Sequence, residues 1–149
     1  SGHHTALYSS TGDIFRNSCD QALRLFHQAG FPKEMLLMGA AFYSRKWENV
    51  KDRYHGFLQY TEKGGGYGPN YDELAEKYID KNGYVSYWDD EAKAPFLFNG
   101  STFISYDDER SLACKCRYVK EEGIGGIFYW CHSGDTSGVL LRKIGEEIR

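Results

Sequence analysis

The sequence lacks an uninterrupted run of about 18 apolar residues, the length that a membrane-spanning helix requires. It also lacks an excess of positive charge: the formal net charge is −3, which argues against the basic surfaces that nucleic acids and anionic membranes attract. Residues 1–5 have neither the basic start nor the apolar stretch of a signal peptide. We therefore expect neither a nucleic-acid partner nor a membrane partner.

Cysteine is scarce, and its spacing is uninformative. The four cysteines occupy positions 19, 114, 116 and 131, and none forms a Cys-x-x-Cys pair. Because Cys114 and Cys116 have no second pair at zinc-finger spacing, we predict no structural metal site. On a helix these two side chains would point to different faces, which argues against a local disulfide. Buried free thiols are the favoured interpretation, and the redox compartment stays open.

Aromatic residues are abundant, with 12 Tyr, 9 Phe and 3 Trp beside 17 Gly. Hydrophobic residues make up 41% and charged residues 26%, a balance typical of globular proteins rather than disordered ones. Such rings suit an apolar core or interface, and they also suit the flat C–H faces of sugars. The 149 residues match one ordinary domain but fall short of the roughly 250 residues of an eight-stranded α/β barrel.

Residues 1–46 read as one α/β unit. Ser18 and Gln21 have the spacing of a capping box, and apolar residues then recur at helical intervals until Gly30 and Pro32. The run at 35–43 is apolar on both alternating faces, which predicts a strand buried on both sides in a parallel sheet.

Residues 47–100 differ in character and read as a small α+β insertion. The glycine-rich run at 64–69 predicts a flexible, turn-rich stretch. A short helix is predicted at 71–80, and short strands at 84–88 and 95–98. Asn99-Gly100 predicts a two-residue hairpin turn that leads into a further strand at 102–106.

Residues 101–149 return to the α/β rhythm. Asp107 or Asp108 can cap a helix that ends at Gly123, a buried strand is predicted at 125–130, and a last helix follows a polar loop. Two parallel strands with three helices leave strand edges unpaired and apolar surface uncovered. The predicted fold class is therefore α/β: the C-terminal fragment of a (β/α)8 TIM barrel that carries a small α+β insertion domain.

Several blocks, in order, resemble the C-terminal part of family 18 glycoside hydrolases, the chitinases. Residues 2–8 look like the loop after the sixth barrel strand. Phe42-Tyr43-Ser44-Arg45 is similar to the usual Phe-Tyr-Gly-Arg ending of the seventh strand. Residues 88–95 and 103–111 resemble the chitinase insertion domain and its exit, and residues 123–135 resemble the eighth strand and its loop. The resemblance covers nearly the whole chain.

The resemblance implies hydrolysis of β-1,4-linked N-acetylglucosamine polymers by substrate-assisted, retaining catalysis. The family's catalytic glutamic acid lies in an Asp-x-x-Asp-x-Asp-x-Glu motif, and this sequence contains no such motif. We therefore expect no catalytic residue in the chain, no activity from it alone, and no metal or organic cofactor. Its expected partners are chitin or chito-oligosaccharide and the missing N-terminal part of the same barrel. Secretion or a cell-surface location is the family expectation.

The resemblance also places sugar-binding residues. Trp130 matches the tryptophan that floors the subsite of the sugar being cleaved, while Tyr43 and Arg45 match residues that hydrogen-bond sugar. Glu73 is aligned with an insertion-domain acid that contacts sugar in some members, with a solvated helix face as the alternative. Trp47 extends the cleft or belongs to the insertion core.

Two departures from the family pattern and three alternatives stay open. Ser44 replaces the family's usual glycine, and Cys131 with His132 follows Trp130 where other residues are common. The first rival function is a chitin-binding, lectin-like family 18 protein without hydrolase activity, which would use the same aromatic and arginine side chains. The second is a self-sufficient small α+β interaction domain. A cell-wall or spore-coat glycan is an alternative substrate.

Overall fold

The computed structural model describes residues 1–149 and contains four α-helices and seven strands. The helices are α1 Cys19–Gln28, α2 Tyr71–Lys77, α3 Glu109–Glu122 and α4 Val139–Glu147. The strands are β1 Leu37–Ala41, β2 Tyr43–Trp47, β3 Gly66–Asn70, β4 Val85–Asp89, β5 Ala94–Phe98, β6 Phe103–Ser105 and β7 Gly126–Trp130. No helix has both the length and the apolar character needed to cross a membrane.

Two sheets organise the chain. β1 and β7 form a parallel pair in which Ala41 is the register partner of Trp130, as the sequence predicts. The predicted burial of the second strand is wrong, because no residue of β7 is fully buried when one face of the pair has no covering layer. The other five strands form an antiparallel sheet in the order β3-β2-β6-β5-β4. This sheet includes β2 and β6, so it extends on both sides of the predicted insertion at 47–100. The division into segments 1–46, 47–100 and 101–149 stays a prediction.

The predicted single strand at 35–43 is wrong, because the chain changes sheets at Phe42. The Phe42 N–H donates to the Trp130 carbonyl at 2.8 Å, while the Phe42 carbonyl accepts from the Tyr71 N–H at 3.1 Å. Its two backbone groups therefore bond to different elements. Met35 lies in a short 3-10 turn before β1, and Tyr43 begins β2 in the antiparallel sheet.

The glycine-rich run predicted as a flexible turn is instead largely an edge strand. β3 pairs with β2 alone, and Pro69 is tolerated there because an edge strand leaves one side of the backbone unpaired. Glycine is needed for close approach: a Cβ at Gly65 would lie 2.2 Å from the Trp47 indole, and one at Gly68 would lie 2.4 Å from the Ser44 hydroxyl. Long-range packing therefore decides the conformation of this run.

The caps of α3 follow the sequence prediction, and the predicted hairpin needs a correction. Asp108 is the N-cap, with its carboxylate accepting from the Ser111 N–H at 2.7 Å, and Gly123 ends the helix in the left-handed conformation. The β5–β6 hairpin forms, but its loop spans residues 99–102 rather than two residues. The Asn99 side chain closes this longer loop by accepting from the N–H groups of Ser101 and Thr102.

The core lies on one face of the parallel pair and within the insertion sheet. Helices α1, α3 and α4 cover β1 and β7, and Met38 of β1, Leu112 of α3 and Leu140 of α4 are all fully buried between them. In the antiparallel sheet all five residues of β5 are buried. The opposite face of the parallel pair carries large exposed side chains, namely Leu37, Phe128 and Trp130.

Candidate functional site

The candidate site lies where β1 and β7 end. Trp130 is the last residue of β7, and 68% of its surface is exposed although it is a large apolar residue. The Phe42 N–H donates to the Trp130 carbonyl, and the chain then turns directly into β2. The start of β2, which carries Tyr43, therefore lies beside the end of β7. The peptide bond between Trp130 and Cys131 is cis.

Tyr43, Arg45 and Tyr67 form one side-chain cluster. Tyr43 and Arg45 are two residues apart on β2 and so share a face, and Tyr67 is the cross-strand partner of Arg45. The Arg45 guanidinium carbon lies 4.5 Å from the centre of the Tyr67 ring, and the Tyr43 and Tyr67 ring centres are 5.8 Å apart. An Arg45 N–H also donates to the Gly65 carbonyl at 3.4 Å. The cluster offers flat apolar rings beside a cation.

Tyr67 is absent from the residues predicted for the site, although 76% of its surface is exposed. The glycine run around it predicts a loop, in which an aromatic side chain has no defined neighbour. The available signal is that Tyr67 is the only aromatic residue of the run at 64–69. In an extended edge strand such a ring has a fixed direction and a cross-strand partner.

The His4 ring also packs against Tyr43, with the two ring centres 5.5 Å apart. The Ser105 hydroxyl bonds both the backbone N–H of His4, at 3.1 Å, and its Nδ1, at 2.9 Å. Burial lowers the pKa of His4 to about 4, and the nearby positive charges act in the same direction against the opposing effect of Asp107. The ring is therefore neutral at pH 7.

Glu73 lies in the first turn of α2, and its carboxylate is 3.6 Å from the Lys77 amine. No hydrogen bond or ion pair joins it to the Tyr43 cluster or to Trp130. The helix itself is held beside the loop after β7, because the Asp72 carboxylate accepts from the N–H and the hydroxyl of Thr136 at 2.7 and 2.6 Å. These bonds lower the pKa of Asp72, against a smaller opposing effect of burial. A role for Glu73 in sugar binding stays a prediction.

Trp47 is at the far end of β2 from Tyr43 and is half-buried. Its indole packs edge-on against Phe103, with ring centres 5.8 Å apart, as part of the insertion core. It also lines a surface groove of about 580 Å³ together with Phe15, Leu58 and Tyr60. The structure thus gives Trp47 a packing role, and a role in binding sugar stays a prediction.

Two acids near the exit of the insertion are fully engaged in structure. Asp107 is completely buried in an ion pair with Lys115, at 2.6 Å, and Asp108 caps α3. Burial raises the pKa of Asp108, although its hydrogen bonds from Ser111 oppose the effect. Neither carboxylate is placed as a free acid at the Trp130 end of the strands.

The structure shows no disulfide and no group of side chains arranged to hold a metal ion. The Cys131 sulfur lies 3.1 Å from the Ser133 hydroxyl, and all four thiols are free. Burial raises the pKa of the Cys19 and Cys116 thiols, the opposite of what activates a nucleophile. No group of three or more His, Cys, Asp or Glu side chains is arranged to hold a metal ion.

Comparison with known proteins identifies the family. The sequence profile of glycosyl hydrolases family 18 matches residues 1–135. A solved family 18 N-acetylglucosaminidase from Paenibacillus barengoltzii is 51% identical, with a TM-score of 0.98, over 99% of this chain and 43% of that one. The cell-surface chitinase ChiW from Paenibacillus sp. is 42% identical, with a TM-score of 0.90, over 99% of this chain and 17% of that one. Chitinase A1 from Niallia circulans is 38% identical over 80% of this chain and 18% of its own length.

The chain spans less than half the length of these relatives. The two parallel strands with their helices therefore correspond to part of a TIM barrel, and the fold class predicted from the sequence is confirmed.

Proposed function

Because the chain belongs to glycosyl hydrolases family 18, we propose that it forms part of the sugar-binding cleft of a chitinase. The reaction is hydrolysis of β-1,4 linkages between N-acetylglucosamine units by substrate-assisted, retaining catalysis. The observation that carries the proposal is the exposed indole of Trp130 at the end of β7, beside the start of β2. In barrel enzymes the carboxyl ends of the strands are the face that builds the active site.

The chemistry of the cluster supports a sugar ligand. The Trp130 indole presents a flat apolar surface on which the C–H face of a pyranose can stack. Tyr43 and Arg45 supply hydrogen-bond donors that suit hydroxyl and acetamido oxygens, and Tyr67 adds a second exposed ring. Most ligand pockets combine such apolar and aromatic walls with a few directed polar groups.

We assign the catalytic acid to a part of the polypeptide outside residues 1–149. The sequence contains no Asp-x-x-Asp-x-Asp-x-Glu motif, and the buried Asp107 and the capping Asp108 are unsuited to protonate a glycosidic oxygen. Residues 1–149 alone are then inactive, and the rest of the barrel is their partner. Since the polymer lies outside most cells that digest it, we also propose a secreted or cell-surface protein.

A second candidate activity is the release of single N-acetylglucosamine units. It is favoured by the 51% identity to the solved N-acetylglucosaminidase, which exceeds the identity to the chitinases compared with it. Both activities act on the same linkage and use the same stacking residue. The products of chitotetraose hydrolysis distinguish them: an internal cut gives the disaccharide, whereas an end-acting enzyme gives the monosaccharide from the start.

The test of the cleft is Trp130→Ala in the full product of the reading frame that contains residues 1–149. We expect its Kd for chitotetraose, measured by calorimetry, to rise by about tenfold or more because a stacking surface is lost. The matched control is Trp88→Ala, which removes an indole on β4, at the opposite edge of the sheet from β3. The control should change the Kd less than about twofold. An unchanged Kd in Trp130→Ala would contradict the proposal.

Sequencing the coding DNA upstream of the Ser1 codon tests the placement of the acid. An intact motif that ends in Glu predicts hydrolysis of chitotetraose by the full product and none by residues 1–149 alone. A replacement of that Glu, with sugar binding retained, would establish the lectin-like alternative instead. Hydrolysis by residues 1–149 alone would refute an acid that lies outside them.

A further inference from the structure

A fully buried ion pair joins Asp107, two residues after β6, to Lys115 of α3. The Lys115 amine lies 2.6 Å from the Asp107 carboxylate, and neither side chain has any exposed surface. The amine also donates to the Thr5 hydroxyl at 2.8 Å and to the Gly39 carbonyl at 3.3 Å. All three donors of this lysine are therefore matched to acceptors in the interior.

The carboxylate of the pair is equally well satisfied. Asp107 accepts from the Ala41 N–H at 3.0 Å, from the Thr5 hydroxyl at 3.1 Å and from the Ser111 hydroxyl at 2.7 Å. The pair thus connects four segments of the chain: the loop at 1–10, β1, the segment between β6 and α3, and α3 itself. We call Thr5, Asp107, Ser111 and Lys115 the charged junction.

The junction binds the free edge of β1 at its carboxyl end. Backbone groups of alternate strand residues point to opposite sides, and Phe42 donates toward β7, so the groups of Gly39 and Ala41 point away from β7. Those two groups, the Gly39 carbonyl and the Ala41 N–H, are the ones that Lys115 and Asp107 bind. Two side chains thus satisfy the backbone groups at the carboxyl end of this edge.

Hydrogen bonds and ring packing connect the charged junction to the proposed sugar-binding residues. Thr5 is adjacent to His4, whose backbone N–H and ring both bond the Ser105 hydroxyl. Ser105 is the register partner of Arg45 on β2, and the His4 ring packs against Tyr43. The two residues assigned to sugar binding on β2 therefore rest on His4 and Ser105, which the junction holds in place.

We propose that Asp107, Lys115 and Thr5 are positioning residues, which fix His4 and Ser105 against β2 and so set Tyr43 and Arg45 for sugar. This inference rests on the proposed function. A buried ion pair is often no more stabilising than apolar residues of the same volume, so stability alone does not account for it. The charges instead constrain geometry. The hydrogen bonds of the junction form only when Thr5 and the backbone of β1 are correctly placed relative to Asp107 and Lys115.

The test removes one hydroxyl and leaves the ion pair intact. Thr5→Val in the full reading-frame product keeps the side-chain shape but deletes the link between the junction and the loop. We expect the Kd for chitotetraose to rise by about fivefold, because the two hydrogen bonds of the Thr5 hydroxyl, to Asp107 and from Lys115, are lost. Thr5→Ser should restore the wild-type Kd. The matched control is Thr102→Val, because the Thr102 hydroxyl makes no hydrogen bond in the structure.

A second readout needs no sugar. In protein labelled with 13C at histidine, and assigned with His4→Gln, the titration of His4 reports its ring environment. Asp107, Lys115, Arg45 and His3 are the charged or titratable groups that act on it. A ring released from its buried position should titrate closer to its ordinary pKa of 6.5 in Thr5→Val and stay unchanged in Thr102→Val. A role confined to stability would leave this titration unmoved.

The outcomes separate the two proposals. Wild-type titration and wild-type Kd in a folded Thr5→Val protein would overturn the positioning role. A shifted titration in a protein that binds no sugar at all would uphold the positioning of His4 and refute the proposed function. If Thr5→Val does not fold, Thr5→Ala takes its place, since it removes the same hydroxyl without placing a second methyl group beside the ion pair. The same two readouts then decide.

Discussion

The antiparallel sheet and the parallel pair differ in how completely their strands are paired and covered. In the antiparallel sheet, β5 has a hydrogen-bonded neighbour on both sides, and every one of its residues is buried. In the parallel pair, each strand has a single neighbour strand. Leu37 and Phe128 on its uncovered face have about half of their surface exposed, at 53% and 49%. Parallel strands are normally covered on both faces.

The difference shows where stability and binding reside. The antiparallel sheet builds its own core from residues such as Leu97, Phe103 and Ile104, all fully buried. The parallel pair has a core on its helical side only, and its other side ends in the exposed Trp130. The charged junction binds the carboxyl end of the β1 edge that faces away from β7. Substitutions should therefore have very different effects in the two regions and at the junction.

The largest effect is expected for Lys115→Met, which leaves the Asp107 carboxylate buried without its partner. We expect a loss of about 3–5 kcal/mol in the free energy of unfolding, measured by urea denaturation. Lys120→Met on the same helix is the control, because Lys120 is exposed and should tolerate the change. The double variant Asp107→Leu/Lys115→Met should regain much of the loss. Equal stability of Lys115→Met and Lys120→Met would show that the junction carries no buried charge.

The next effect compares one leucine from each region. Leu97→Ala in β5 should cost about 2–5 kcal/mol, because a fully buried side chain leaves a cavity. Leu37→Ala in β1 should cost less than about 1 kcal/mol in residues 1–149, since the side chain is already half exposed. In the full reading-frame product the cost of Leu37→Ala should rise toward that of Leu97→Ala. Similar costs in the short chain would remove the contrast between the two regions.

Local signals in the sequence predict the elements that local interactions determine. Ser18 and Asp108 cap helices where the sequence places them, because each cap needs only a short polar side chain and the next turn of backbone. The continuous apolar run at 35–43 likewise indicates a strand of a parallel sheet, and its residues 37–41 form β1. The family resemblance then supplies the order of the elements and the position of Trp130 at a strand end.

Features that depend on contacts between distant parts of the chain could not be predicted from the sequence. β3 forms in a glycine-rich run because Trp47 and Ser44 lie against its backbone, and no local preference predicts that contact. Tyr67 enters the cluster only through this strand. Charged residues are rarely buried, so nothing in the spacing of Asp107 and Lys115 indicates a pair with no exposed surface. The break at Phe42 follows from bonds to β7 and α2, which are far along the chain.

The smallest expected effect is the contribution of His4 to the pH dependence of stability. The pKa of His4 is about 4 in the folded chain and 6.5 when the ring is free, chiefly because burial disfavours its charged form. Between these values the unfolded chain binds more protons, so the stability is complete above pH 6.5 and falls as the pH drops toward 4. The loss attributable to His4 is at most about 3 kcal/mol.

Urea denaturation of the wild type and of His4→Gln between pH 4 and pH 7 isolates this contribution. The wild type should lose more stability than the variant over that interval, because glutamine does not titrate and carboxylates affect both proteins alike. Lys120→Met should follow the wild-type curve, since Lys120 is not among the groups that act on His4. Parallel curves for the wild type and His4→Gln would mean that the His4 ring is not buried as neutral imidazole, and the contact between the loop at 1–10 and β2 would then be looser than the structure has it.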